Sequence, residues 1–321
     1  MSADELSLAF DDRAFSPRPC PEHRLFPTHD EAGGCRARAI ELAAVDEVGA
    51  AETPSEEGAS RPEEKKPRRV LGALVAAADF AATAANSTLG YTHRSFHFNR
   101  EGFFGAGTED GGADKASHFV DYYIVAKELT NIYRLLDYSE REAIWMGFGV
   151  AAVGGLVNEV GDGFQRHGFS YEDLVMDTLG AGTATLISAT RTHDLVGFRT
   201  SHLPGPTYIH DVYSADLKIS GLAQRLGMNV GPLRFLLFSV TYGVKGYRNN
   251  SLRDDQQRQL GFEIGVNLEE ILNAIGATRN TWWGYPLHMV GDNVRFPYLA
   301  IGFRYDLNHG QWHGPNNGNY P

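Results

Sequence analysis

Residues 143–158 read AIWMGFGVAAVGGLVN, an uncharged stretch that ends at Glu159. Gly147, Ala151 and Gly155 recur in it at four-residue spacing, and apolar residues cover nearly the whole circumference of the helix that it predicts. Small residues in this register let helix backbones approach closely, in membranes and in tight soluble bundles alike. The stretch is shorter than the run of about 18 apolar residues that indicates a spanning helix. We therefore expect a helix that is buried in protein or in lipid.

Helices are predicted on both sides of this stretch as well. Apolar periodicity extends over residues 115–136, 140–160 and 171–191. Ser139 and Ser170 stand directly before the second and third of these segments, and each is followed three positions later by an acidic residue, as in a helix N-cap. The pattern predicts a compact apolar bundle of three to four helices.

After about residue 200 the hydrophobic period changes from 3.6 to 2. Apolar residues alternate with polar or small ones over residues 260–268 and 299–307, again over 238–244, and more weakly over 213–219. Such alternation predicts half-buried antiparallel strands. The predicted fold class is therefore α+β, in which the helix bundle is followed by a roughly four-stranded antiparallel β-meander with one face on the helices or on a membrane.

Composition divides the chain into regions. The first 69 residues are rich in Pro, Glu, Ala and Arg and show no apolar period, so burial cannot offset their ordering entropy. The basic residues 65–69 precede an apolar run, which is the layout of a signal peptide. The predicted organisation is a disordered leader (1–69), an alanine-rich helix or internal signal-like segment (70–90), a helical bundle (91–200), an antiparallel sheet region (201–309) and a disordered tail (310–321).

Charge and cysteine content exclude several classes of protein. Acidic residues outnumber basic ones by 40 to 29, and the formal net charge is −11. A protein that binds nucleic-acid phosphates needs a basic surface, so we expect no nucleic-acid partner. Two cysteines, Cys20 and Cys35, are too few for a disulfide scaffold or a thiolate metal cluster. Neither follows an apolar segment, so we expect no lipid attachment through a cysteine.

Ionisable residues occur in pairs at the ends of the three predicted helices. The pairs are Asp114 and His118 at the start of the first, Glu159 and Asp162 at the end of the second, and Asp173 and Asp177 at the start of the third. The members of each pair are three or four positions apart and therefore share a helix face. An up-down-up bundle brings these three ends together, so all six residues are predicted to form one polar cluster.

Such a cluster has three interpretations. Carboxylates and an imidazole are ligands for divalent metals, and the expected ligands are His118, Glu159 and Asp177. Clustered carboxylates also supply a general acid and a general base, because they shift one another's pKa values. The structural alternative is a buried hydrogen-bond network that orients the helix ends, where acidic residues are also favoured by capping and by the helix dipole. A bound metal is thus one expectation and a purely structural cluster another.

Several motifs together resemble the YfiM-like family of bacterial envelope proteins. They are residues 102–105 (GFFG), 111–119 (GGADKASHF), Asn158 and Glu159 with the following 162–164 (DGF), 168–177 (GFSYEDLVMD) and 180–182 (GAG). The order of these acidic residues and the histidine is also distantly similar to the VanZ-like membrane proteins. Members of the YfiM-like family are commonly predicted to be periplasmic lipoproteins. The resemblance covers residues 95–191 best. It implies a membrane-associated protein of the cell envelope and brings no established catalytic activity.

The leading functional prediction is a membrane-associated cell-envelope protein that faces the periplasm and whose polar cluster is structural or ligand-binding. Membrane or envelope components are its expected partners, and the sequence indicates no specific protein partner. The alternative is a metal-dependent hydrolase acting on a lipid-linked or cell-wall substrate, with Asp114 or Asp173 as general base. A scaffold that recruits partners through the acidic leader is a third reading.

Overall fold

The computed structural model describes residues 28–29, 35–36, 66–88, 94–201, 212–247, 256–279, 281, 283–296 and 298–316. Residues 15–65 form a separate unit, in which the described part is one antiparallel pairing of Thr28–His29 with Cys35–Arg36. Most of the predicted leader, with Cys20, and residues 317–321 of the predicted tail lie outside the described residues.

Four helices form the bundle, in agreement with the predicted helical region. They are α1 (Arg69–Thr88), α2 (Ala113–Leu135), α3 (Glu140–Asp162) and α4 (Tyr171–Thr190). Helix α2 packs against both α3 and α4, and α1 packs against α3. Ser139 accepts a hydrogen bond from the backbone N–H of Glu142, whose side chain accepts in return from Ser139, and Ser170 accepts from the N–H of Asp173. Both predicted N-caps are confirmed.

The small residues of α3 allow the close packing that their spacing predicts. A Cβ atom at Gly147 would lie 2.8 Å from the carbonyl oxygen of Ala126 on α2. A Cβ at Gly155 would lie 2.8 Å from Oδ2 of Asp177 on α4. The core between the helices is correspondingly built from alanines with a few large side chains, Tyr123, Leu129 and Tyr133 among them. The glycines thus bring the three helix ends, with their ionisable residues, close together.

Six antiparallel strands follow in a simple meander, so the predicted α+β fold class is confirmed. The strands are β1 (Val196–Thr200), β2 (Val212–Lys218), β3 (Leu236–Lys245), β4 (Gln257–Val266), β5 (Ala300–Asp306) and β6 (Gln311–Asn316), and each pairs with its neighbour in sequence. The middle four are the predicted ones. The two added strands lie at the sheet edges, and β6 falls within the tail that the sequence predicts to be disordered.

In the edge strands the apolar alternation is too short or is interrupted, which is why the sequence pattern does not reveal them. Strand β1 has only five residues, and β6 contains Gly314 and Pro315. Proline is tolerated at a sheet edge because its missing N–H does not interrupt a ladder on both sides. Edge strands are therefore the part of a sheet that alternation predicts least well.

The sheet buries its polar face. In β4, Gln259, Gly261 and Glu263 are buried, whereas the alternating Phe262 and Ile264 are exposed. The connection from β4 to β5 contains α5 (Leu268–Ala274) and α6 (Gly284–Asn293), and its Arg295 reaches Glu263 on the polar face. Helix α2 covers the apolar face only near β1 to β3, where Phe198 packs against Phe119 and Tyr123.

A buried ion network joins the bundle to the sheet region. We call it the interface network, and it consists of Lys127, Glu128, Lys218, Glu269, Arg279 and Asp292. Asp292 accepts hydrogen bonds from Lys127 and Lys218, each at 2.6 Å, and it lies 3.3 Å from Arg279. Glu269 accepts from Lys218 and from Arg279 at 2.8 Å. Three cations thus face three carboxylates.

Candidate functional site

The ionisable residues of the bundle come from three helix ends that meet. Asp114 and His118 lie in the first two turns of α2, and Asp173 and Asp177 lie in the first two turns of α4. Glu159 is in the last turn of α3, which runs antiparallel to both neighbours. The structure brings these five residues together, as the up-down-up arrangement predicts.

His118 is the centre of the group. Its Nδ1 atom is 2.7 Å from Oδ1 of Asp177, and its Nε2 atom is 3.7 Å from Oδ1 of Asp114 and 3.8 Å from Oδ1 of Asp173. The imidazole lies parallel to the ring of Tyr122, with 6.5 Å between the ring centroids. Each edge of the imidazole therefore faces carboxylate oxygens.

Glu159 and Asp177 are the most deeply buried acids of the site, at 1% and 0% exposure. Oε2 of Glu159 accepts a hydrogen bond from the backbone N–H of Ser170 at 3.0 Å. The other oxygens, Oε1 of Glu159 and Oδ2 of Asp177, are buried and have no hydrogen-bond partner within the described part of the chain. A buried carboxylate oxygen without a partner costs free energy, so these two atoms are what a structural network alone leaves unexplained.

Two sets of three residues have ligand atoms close enough to hold a metal ion. In one set the atoms belong to His118, Glu159 and Asp177, and in the other to Asp114, His118 and Asp173, with all atoms of a set within 4.8 Å of one another. The first set is the one expected from the sequence.

Asp162 lies outside both sets. It is the last residue of α3, and its Oδ2 atom accepts a hydrogen bond at 3.2 Å from Asn158, four residues earlier on the same helix. Asp162 thus has a local partner and belongs to neither ligand set, although the sequence predicts it as a member of the cluster.

Two members of the site, Lys115 and Glu101, are absent from the cluster that the sequence predicts. Nζ of Lys115 is 2.5 Å from both Glu101 Oε2 and Asp173 Oδ1, and 2.7 Å from Asp114 Oδ2. The positive end of the helix dipole disfavours a lysine in the first turn of a helix. The unusual position of Lys115 is therefore the sequence feature that could have indicated a special role. Glu101 precedes the helix without any pattern of its own. We call the seven residues Glu101, Asp114, Lys115, His118, Glu159, Asp173 and Asp177 the bundle cluster.

Carboxylates outnumber cations in the bundle cluster, five to two. Burial alone would raise the pKa of Asp114, but the charges of His118 and Lys115 lower it. Burial raises the pKa of Glu159 to about 8 and that of Glu101 to about 7. Burial also raises the pKa values of Asp173 and Asp177. For His118, burial favours the neutral ring, but the hydrogen bond and charge of Asp177, with the charges of Asp114 and Asp173, outweigh it and raise the pKa well above the usual value.

The bundle cluster lies within a segment that is similar to one known family. Residues 100–189 match the model of a family described as a predicted periplasmic lipoprotein (DUF2279). The matched segment contains all seven residues of the bundle cluster and ends before the sheet. No curated protein and no solved structure matches the chain. The family match confirms the coarser prediction, that of a cell-envelope protein on the periplasmic side.

Among the described residues, one helix is long and apolar enough to cross a membrane. It is α3, whose most apolar 18-residue window has a mean hydropathy of 1.4. Length and composition are shared by spanning helices and by core helices of soluble proteins, so this observation alone does not assign a membrane contact.

Proposed function

We propose that this protein is a membrane-associated component of the cell envelope whose helical bundle binds a divalent cation through His118, Glu159 and Asp177. The observation that carries the proposal is the pair of buried, unpartnered carboxylate oxygens on Glu159 and Asp177, next to Nδ1 of His118. A cation at this place supplies both oxygens with a partner and neutralises the excess of carboxylates.

The first set of ligands is favoured over the second because of Lys115. In the second set, Asp114 and Asp173 already have a cation, since Lys115 Nζ lies within 2.7 Å of an oxygen of each. In the first set no lysine or arginine contacts Glu159 or Asp177 among the described residues. Asp114 and Asp173 then face the other edge of His118 and orient the ring, as carboxylates commonly do behind a metal-bound histidine.

The donor set indicates which cations fit. One imidazole nitrogen and two carboxylate oxygens suit Mn²⁺, Fe²⁺ or Zn²⁺, whereas Ca²⁺ and Mg²⁺ favour sites made of oxygen alone. Bound metal would be available for Lewis-acid chemistry, so the hydrolase alternative stays a prediction. The YfiM-like and VanZ-like resemblances also stay predictions.

Calorimetric titration of the metal-free full-length protein in mild detergent tests this proposal. We expect one equivalent of Mn²⁺ or Zn²⁺ to bind, and Mg²⁺ to bind much more weakly. His118→Ala and Asp177→Asn should each weaken binding by at least ~10- to 100-fold, the loss seen even when residues that merely orient metal ligands are removed. Asp162→Asn is the matched control, because it removes a carboxylate next to the site but outside both ligand sets.

Two results would contradict the cation site. One is the absence of stoichiometric binding in the folded wild-type protein. The other is an equal loss of affinity in Asp162→Asn and Asp177→Asn, which would indicate a general effect of acidic charge. Assays of the metal-loaded protein on lipid-linked and cell-wall substrates address the hydrolase alternative, and binding without turnover removes it.

A further inference from the structure

The sheet has an inverted distribution of polar and apolar side chains. Its exposed face carries six large apolar residues from β3, β4 and β5, which we call the outer patch: Phe238, Val240, Phe262, Ile264, Ile301 and Phe303. They form two cross-strand rows in register, Val240 opposite Phe262 opposite Phe303, and Phe238 opposite Ile264 opposite Ile301. Their exposure ranges from 37% for Val240 to 59% for Ile301.

The opposite face carries charged side chains that are buried. Glu263 Oε2 is 2.5 Å from Arg295 of the β4–β5 connection and its Oε1 is 3.9 Å from Nε of Arg304. On β2, Asp216 binds Arg199 at 2.6 Å and accepts a hydrogen bond from Ser239 at 2.6 Å. These groups are buried against partners from the chain itself, so the fold turns the polar face inward and leaves the apolar face outside.

A sheet with its charged face buried and its apolar face exposed is unfavourable in water. Burying ion pairs carries a desolvation cost, and an apolar patch left in water forfeits the free energy of its burial. In contact with hydrocarbon the second cost disappears, because the outward side chains are then in an apolar solvent. Transmembrane β-barrels show the same distribution, with apolar side chains facing lipid and polar side chains facing inward.

Helices α3 and α4 show the same inversion. Trp145, Val153 and Leu156 of α3 and Leu179 and Leu186 of α4 are exposed. Small and ionisable residues face inward on the same helices, among them Gly147, Gly154 and Gly155 of α3 and the acids of the bundle cluster. A protein partner covers a surface of limited size, whereas a solvent contacts every outward element. Two separate elements with the same inversion therefore favour a lipid environment over a single docked protein.

We propose that the outer patch lies against the hydrocarbon of a lipid membrane. Trp312 stands next to the patch, 62% exposed, with its ring centroid 6.3 Å from that of Phe262 and 5.1 Å from that of Tyr305. Tryptophan is favoured at the boundary between hydrocarbon and headgroups, so this position fits the rim of the contact. The inference rests on the membrane-association part of the proposed function and is independent of the cation site.

Vesicle flotation of the full chain tests the contact. With vesicles of phosphatidylethanolamine and phosphatidylglycerol, we expect the wild-type protein to float and Phe303→Asp to partition at least ~10-fold less, because a charge is excluded from hydrocarbon. Ile275→Asp is the matched control, since Ile275 is 72% exposed but lies in the β4–β5 connection, away from the patch. The control should float like wild type.

A second readout uses Trp312 as the sole tryptophan, with Trp145, Trp282 and Trp283 replaced by Phe. Lipids brominated on the acyl chain should quench its fluorescence. Equal flotation of wild type and Phe303→Asp, or no quenching of Trp312, would overturn the outer patch as the contact while leaving membrane association intact. Failure of the wild type to float would contradict membrane association itself, and the cation titration would be unaffected.

A second copy of the chain is the competing occupant of the patch. If the wild-type protein forms a dimer without vesicles, and Phe303→Asp dissociates it while neither protein floats, the patch is a contact between copies and the lipid proposal is wrong. Light scattering of both proteins at the same concentration provides this measurement.

Discussion

In the interface network three cations face three carboxylates, whereas in the bundle cluster five carboxylates face two cations. Both groups are buried, and both use Asp, Glu and Lys side chains at distances of 2.5–2.8 Å. Every carboxylate of the interface network has hydrogen-bond partners, since Glu128 also accepts from Tyr285 at 3.0 Å and from Asn293 at 2.7 Å. The bundle cluster instead contains the unpartnered oxygens of Glu159 and Asp177.

The balance between burial and nearby cations differs between the two regions for most of the acids. Burial alone would raise the pKa of Asp292, but Lys127, Lys218 and Arg279 lower it well below the usual value. The pKa of Glu269 is lowered too. Burial and the charge of Asp292 would raise it, but the charges of Lys218 and Arg279 outweigh them. In the bundle cluster burial prevails at Glu159, Asp173 and Asp177 and raises their pKa values. The difference indicates that the cations of the first region outweigh the burial of its acids, whereas at these three acids of the second region they do not.

The largest expected effect is the loss of stability in Asp292→Asn. This change leaves Lys127, Lys218 and Arg279 without their shared partner in a buried place, and such a loss typically costs about 3–5 kcal/mol. Urea unfolding monitored by circular dichroism measures it. Asp194→Asn serves as the control because Asp194 pairs with Arg225 at the surface, and it should leave the unfolding midpoint almost unchanged.

The pH dependence of the stability difference between wild type and Asp292→Asn tests whether the charge of Asp292 causes it. Because the pKa of Asp292 is lower in the folded than in the unfolded protein, its contribution is present above the unfolded pKa of about 3.9 and is lost as pH falls below it. The stability gap between wild type and Asp292→Asn should therefore narrow below pH ~4. A gap that stays constant down to pH 3 would show that the charge of Asp292 is not its cause.

Lys115→Met is expected to have the second-largest effect. Among the described residues, Lys115 contacts Glu101, Asp114 and Asp173 at once, and its removal leaves His118 as the remaining cation of the bundle cluster against five carboxylates. We expect a loss of about 3 kcal/mol at neutral pH, at the lower end for a broken buried pair because the carboxylates are able to take up protons. Urea unfolding again gives the value. Wild-type stability in this variant would mean that the carboxylates are already neutral in the native protein.

The helical half of the fold was predictable because its signals are local. Each signal lies within a single helix or at its end. The signals are the serine caps, the pairs of ionisable residues and the four-residue spacing of Gly147, Ala151 and Gly155. The meeting of the helix ends follows from antiparallel packing. For this reason His118, Glu159 and Asp177 were predictable as a group, whereas Glu101 depends on a loop whose position only the folded structure defines.

The sheet was less predictable because alternation does not say which face is inward. Phe262 and Glu263 alternate equally well in either orientation. The orientation is decided by the long connection after β4, which brings Arg295 to Glu263 and thereby fills the polar side. Only an interaction distant in sequence makes this choice, so the sequence pattern predicts the strands but not the inversion.

The smallest expected effect is that of Glu159→Gln on the metal-free protein, and it separates the two regions most sharply. The backbone N–H of Ser170 keeps an acceptor, because a glutamine has one carbonyl oxygen to replace Oε2. The substitution removes a carboxyl group whose ionised form is already disfavoured by burial, since burial raises its pKa to about 8. We therefore expect the free energy of unfolding without metal to change by less than ~1 kcal/mol.

In the wild type, a cation at 100 times its Kd should add about 2.7 kcal/mol to the free energy of unfolding, and Glu159→Gln should lose most of this gain. Glu159→Gln could instead destabilise the metal-free protein as much as Asp292→Asn does. The bundle cluster would then be a structural network of the same kind as the interface network, and this result would contradict the proposed cation site.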